Sequence, residues 1–240
     1  MKRTFNGGRT GIGMRGVVLA AAAVLLLGGC AGKRPLHLVE ESGDKAFKQR
    51  QFDRALADYL EYVDRRPGDG AVRHKLAVSL LETGQATKAV EHAWLAYDDK
   101  PTNDEYVETL ARSMHESGKH EELGKFLRDE IERRGRIDDY LRLARYSSLM
   151  GDGDGAELAY LTAARLDGGR TLNLQLQIAK FYLSIGDKLS AYERFRMALF
   201  LDPDNDIAYR EIRELGYIPG PSLAIPPKEL RGAQATGTEP

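Results

Sequence analysis

The sequence predicts an all-α protein built as a solenoid of helical hairpins. Two observations carry that prediction. Gly84, Gly118, Gly151 and Gly186 recur at spacings of 34, 33 and 35 residues, and a fixed period of roughly 20–50 residues marks a repeat architecture. Between the glycines, apolar residues fall at i, i+3, i+4 and i+7, the signature of one helix face. Val72, Leu76, Leu80 and Leu81 do so before Gly84, and Ala89, Val90, Ala93, Ala96 and Tyr97 do so after it.

Before the repeats comes a leader. Lys2, Arg3, Arg9 and Arg15 precede the apolar run Val17–Leu27, and no acidic residue stands before Glu40. Eleven apolar residues fall short of the ~20 that span a bilayer as a helix. A basic start, a short apolar core and small residues after it describe a secretory signal over residues 1–29. Met14 is an alternative start, which would leave a compact leader with one arginine. The run ends on Leu27, Gly28, Gly29 and Cys30. Cys30 is the only cysteine, so no disulfide forms within the chain. Residues 30–35 read as a short tether.

The repeats follow from 36 to 205, as 36–69, 70–103, 104–136, 137–171 and 172–205. One column reads Ala55, Ala89, Leu123, Ala156 and Ala191; four residues on stand Tyr59, Ala93, Leu127, Tyr160 and Phe195. Small residues let paired helices approach, and the larger ones fill the space beside them. The glycine suits a helix end that needs a left-handed backbone. Pro67, Pro101 and Pro203 close repeats, because proline cannot continue a helix from inside. Repeat three departs, with Leu123 for Ala, Glu130 in the next alanine column and Gly135 for Pro. Either a bend or looser packing is expected there. Asp206–Gly216 reads as a capping helix, with Ile207, Ile212 and Leu215 turned to the last repeat. Residues 217–240 hold five of the nine prolines and read as a flexible tail.

These columns resemble the tetratricopeptide repeat, over about five repeats and a capping helix. Leu27-Gly28-Gly29-Cys30 resembles a bacterial lipobox. That resemblance implies diacylglycerol on the Cys30 thiol, cleavage before it and acylation of the new amine, such as by palmitate. Several chains give stable anchoring where one is marginal. Ala31, rather than Asp, implies the outer membrane, facing the periplasm, if the cell is Gram-negative. Loss of the four basic leader residues would leave 31 Lys and Arg against 36 Asp and Glu, a net charge of −5. A mildly acidic chain lacks the clustered basic surface of a nucleic-acid binder.

In tetratricopeptide proteins the first helix of each repeat lines a concave groove. Carried onto this chain, the ninth position reads Asp44, Val78, Arg112, Arg145 and Lys180. The last three form a basic stripe, with His74, Leu81, Glu108, His115, Leu141, Ser148 and Leu183 around it. Such a stripe suits an acidic peptide or a terminal carboxylate, since arginine pairs bidentately. The alternative is a solvated face whose arginines pair with Glu108 and other carboxylates. The carboxylate clamp of some eukaryotic relatives is not reproduced, because Asp44 stands where that clamp has Asn.

The sequence offers no catalytic constellation. Met150–Glu157, MGDGDGAE, fails the calcium-loop spacing at three positions and falls on a repeat turn. His115 and His120 flank Gly118 and lack the i, i+4 spacing of a metal pair on one helix. No nucleophile elbow or phosphate-binding loop is present. No cofactor, metal or enzyme activity is expected. The expected function is that of a lipid-anchored scaffold for protein–protein interaction in the cell envelope, in assembly of a pilus or secretion machine or as an adaptor or regulator of peptidoglycan enzymes.

Overall fold

A computed structural model describes residues 33–218 and 220–230. The expected signal over residues 1–29 and the expected lipidation at Cys30 lie outside these residues. Five antiparallel helix pairs follow one another: α1 (Leu36–Lys48) with α2 (Phe52–Arg65), α3 (Gly70–Glu82) with α4 (Ala86–Asp99), α5 (Asp104–Glu116) with α6 (His120–Arg134), α7 (Ile137–Leu149) with α8 (Gly153–Asp167), and α9 (Leu172–Ser184) with α10 (Lys188–Leu201). A shorter helix, α11 (Asp206–Glu214), closes the array. Among the described residues no helix is long and apolar enough to cross a membrane.

The turn inside each pair is one device repeated. After α3, the Gly84 amide donates to Leu81 O and the Gln85 amide to Leu80 O. This double closure satisfies the last carbonyls of the helix and needs a left-handed residue. Gly84, Gly118, Gly151 and Gly186 supply it, with φ of 72°, 76°, 81° and 83°. In the first pair the same bonds run from Arg50 to Phe47 and from Gln51 to Ala46. Arg50 holds the left-handed position without being glycine, at φ 57°.

Ala55, Ala89, Ala156 and Ala191 are completely buried at the helix crossings. Their four hairpins close tightly, whereas α5 and α6 are the most loosely apposed of the five pairs. There α6 buries Leu123, Leu127 and Glu130 at the positions where α4 buries Ala89, Ala93 and Ala96. Of the two expectations for repeat three, looser packing is what the structure has. At its end Gly135 caps α6 in the left-handed conformation, where the other repeats place proline or a second glycine turn.

Apolar packing gathers in three clusters along the array, the second and third sharing the half-buried Leu143. One cluster joins Val39, Tyr59, Leu76 and Ala89, a second joins Ala93, Leu110, Leu123 and Tyr146, and a third joins Ala144, Tyr160, Phe195 and Ile212. Ile207 of α11 and Leu215, which caps its C-terminus, pack on the third cluster. Leu223 and Ala224 do so as well, so residues 220–230 are not the flexible tail that their composition suggested. They lie against α10, held by an ion pair between Arg194 and Glu229 that is nearly closed to solvent.

Candidate functional site

The first helices of the pairs stand side by side and are tied by polar bridges. Lys75 of α3 reaches Asp44 of α1 at 2.6 Å. His74 of α3 bonds Thr109 of α5 at 2.9 Å and lies tilted against the Tyr106 ring, centroids 4.6 Å apart; burial lowers the pKa of its ring. Arg112 of α5 spans Glu82 of α3 at 2.7 Å and Glu116 of its own helix at 2.6 Å. Burial opposes the charge on Arg112, but these hydrogen bonds outweigh it and raise its pKa.

The bridge from α5 to α7 is the densest. Glu108 Oε2 accepts from Arg142 Nε at 3.2 Å and from Arg145 Nη2, and Glu108 Oε1 accepts from the Tyr146 hydroxyl at 2.8 Å. Burial and the Glu108 carboxylate push the Tyr146 phenol well above its usual range. Arg145 lies over the Tyr146 ring. Asp139, wholly buried, accepts from Arg134 at 2.6 Å and from Arg142 at 3.3 Å. Asp104 pairs with Arg136 and with Arg134, and Glu130, 1% exposed, pairs with Arg134 at 2.7 Å and Arg133 at 2.9 Å. A ladder of carboxylates and arginines therefore spans the seam between the second and third apolar clusters.

This arrangement changes the meaning of the basic stripe. Arg112 and Arg145 are each neutralised by carboxylates of the chain itself. Lys180 on α9 is exposed and forms no ion pair among the described residues. Leu81, 4% exposed, belongs to the first apolar cluster and not to an open face. Val78, Leu141 and Leu183 are partly exposed.

A pocket of 310 Å³ opens beside the ladder. Its walls are Asp104 and Glu108 of α5, Asp138, Leu141, Arg142 and Arg145 of α7, Tyr160 of α8 and Gln177 of α9. Glu108, Leu141 and Arg145 come from the sequence-based set. Asp138 occupies the second position of its repeat and was reachable by the same numbering. Arg142 and Gln177 share the sixth position, one turn along the same face. Tyr160 comes from a second helix and had no such signal.

His115 and His120 stack across the Gly118 turn, with ring centroids 5.5 Å apart. Among the described residues no group of three or more His, Cys, Asp or Glu side chains is assembled as a metal site. Asp152 of the acidic turn caps α8 instead, accepting from the Gly155 amide at 2.9 Å.

The fold has counterparts among solved structures. A MamA protein matches with a TM-score of 0.54 and 19% identity, over 77% of this chain and 97% of that one. MamA residues 41 to the end from Desulfovibrio magneticus RS-1 match with a TM-score of 0.56 and 13% identity, over 74% of this chain and 99% of that one. A thermophilic TPR protein of Thermus thermophilus matches with a TM-score of 0.50 and 19% identity, over 75% of this chain and 98% of that one. The fold is a tetratricopeptide-repeat solenoid. No family model matches the chain, and comparison with curated proteins finds no relative.

Proposed function

We propose that the chain is a lipid-anchored, non-catalytic scaffold that binds a protein partner on the face made by its first helices. The observation that carries this reading is the pocket between α5, α7, α8 and α9, where the half-buried Leu141 lies among Asp104, Glu108, Asp138, Arg142, Arg145 and Gln177, with the edge of Tyr160 behind them. A lining dominated by charged and polar groups, with Leu141 as its apolar contact, suits a protein segment recognised through hydrogen bonds and ion pairs. Because Arg112 and Arg145 already hold carboxylates, an acidic partner would meet Lys180 as the free cation of the stripe. The chemistry that fits is an amphipathic segment with one carboxylate, in place of a strongly acidic one.

The anchor is Cys30, through the Leu27-Gly28-Gly29-Cys30 motif. Residues 31–35 then hold the solenoid within tens of Å of the bilayer, at about 3.3 Å per residue. That geometry suits an outer-membrane lipoprotein facing the periplasm, recruiting components of a pilus or secretion machine. An adaptor or regulator of peptidoglycan enzymes is the second reading.

The experiment is crosslinking in whole cells, wild type beside L141E/K180E, with a C30S variant fractionated in parallel. A partner captured by wild type and lost in L141E/K180E supports the groove. Capture unchanged by the double substitution would remove it. C30S that stays in the membrane fraction would remove the anchor.

A further inference from the structure

Residues 220–230 run antiparallel to α10. Gly220 and Ala224 lie beside Phe200 and Pro203 at the end of that helix. Further back, Arg196 Nε donates to Leu223 O at 2.7 Å and the Ile225 amide donates to Arg196 O at 3.2 Å. Lys228 then pairs with Glu193 at 2.6 Å, and Glu229 Oε1 accepts from Arg194 Nη1 at 2.7 Å. The turn between α8 and α9 leaves room for this strap only because Gly169 is bare. A Cβ there would stand 2.7 Å from Pro227 Cβ and 3.2 Å from Glu229 Cβ.

The channel is built around a carboxylate. Arg194 is 7% exposed, and Glu229 is its one ion-pair partner among the described residues. A guanidinium that far from water requires such a partner. Arg194 Nη1 also donates to Gln175 Oε1 at 2.9 Å. Yet the amide nitrogen of the wholly buried Gln175 has no acceptor, and Oε2 of Glu229 has no donor. Each of these atoms is two bonds from an oxygen that Arg194 holds. The site presents two donors, a guanidinium and an amide, to a group with two oxygens, and the strap engages only the first. Buried polar groups left unpaired favour a ligand that pairs them.

We propose that this channel is a docking site for an extended, proline-bearing segment of a partner protein that carries a carboxylate, and that the strap is its internal occupant. A partner carboxylate free of the tether at Gly220 engages both Arg194 and Gln175 and displaces Glu229. The site is separate from the pocket on the first-helix face, so it stands or falls independently of that reading.

The test uses the full chain and a fluorescent peptide with the sequence of residues 220–230. In E229A the strap loses its carboxylate while the channel keeps its donors. The Ile225 amide should exchange faster in E229A than in wild type, and E229A should bind the peptide at least tenfold more tightly. A peptide carrying Glu229→Gln should bind at least tenfold more weakly. A strap that stays protected in E229A overturns the proposal. So does a released strap with no peptide binding, or equal binding of the Glu and Gln peptides. A concentration-dependent dimer of wild type that the peptide dissolves would assign the channel to a second copy of this chain, against a partner protein.

Discussion

The α3/α4 and α5/α6 hairpins occupy the same place in successive repeats and are held together by different physics. In the first, Ala89 and Ala96 are fully buried and the two helices meet closely. In the second, the same positions hold Leu123 and Glu130, both buried, and the helices stand further apart. A close apolar crossing draws its stability from dispersion and excluded water, which need only small matching surfaces. The wider one also buries Leu110, Met114, Leu123 and Leu127, and adds an ionic ladder at its seam with α7, whose buried members are expensive to leave unpaired. Three exchanges separate the two hairpins, Ala89 to Leu123, Ala93 to Leu127 and Ala96 to Glu130, and the seam that follows the wider one carries the charge.

The largest effect should come from cutting the ladder. Asp139→Ala removes the acceptor shared by Arg134 and Arg142, both largely buried, and should cost about 3–5 kcal/mol. Urea unfolding measures it, and a loss under ~1 kcal/mol would mean that the ladder is replaceable by water. Leu123→Ala restores the residue found in the other repeats, yet should still destabilise by about 2–5 kcal/mol, because the splayed pair cannot collapse into the cavity. A neutral result would show that α5 and α6 close freely once the leucine is gone. Ala89→Leu asks the converse question in the tight hairpin and should cost about 1–3 kcal/mol by overpacking; thermal melts that leave wild type and variant superimposed would undo the comparison.

Arg50→Gly should be the one stabilising change. Arg50 takes the left-handed conformation that glycine takes in the other four turns, and a side chain there costs about 1–2 kcal/mol. A gain near 1 kcal/mol is expected, less the entropy that glycine adds to the unfolded chain. The smallest effect concerns pH. Hydrogen bonding from Arg136, then the charges of Arg136, Arg134 and Arg142, hold the Asp104 carboxyl below its usual range. A depressed folded-state pKa gives stability that is present above the unfolded value of about 3.8 and is lost as pH falls through the folded one. Asp104 is 44% exposed, so solvent screens most of this contribution. Asp104→Asn should therefore flatten the acid limb of the stability curve only slightly, and a strongly flattened limb would mean that solvent does not screen the Asp104 pairs.

Sequence periodicity determined the five hairpins, their turns and the capping helix, because each repeat buries a stripe whose spacing is set by the helix itself. The same arithmetic reached Arg50 as well, since it stands 34 residues before Gly84, but a search for glycine passes over it. Glu108, Leu141 and Arg145 of the pocket were legible for the same reason. What the one-dimensional pattern could not fix was which charges meet. Arg112 and Arg145 read either as a basic stripe or as partners of Glu108 and other carboxylates, and the fold decides for the second, with Glu82 30 residues from Arg112 and Glu108 37 residues from Arg145 pairing across helix boundaries. Nor could composition show that a proline-rich terminus would settle on α10. That depends on a buried Arg194, a bare Gly169 and a carboxylate arriving at Glu229, three residues that only the folded chain brings together.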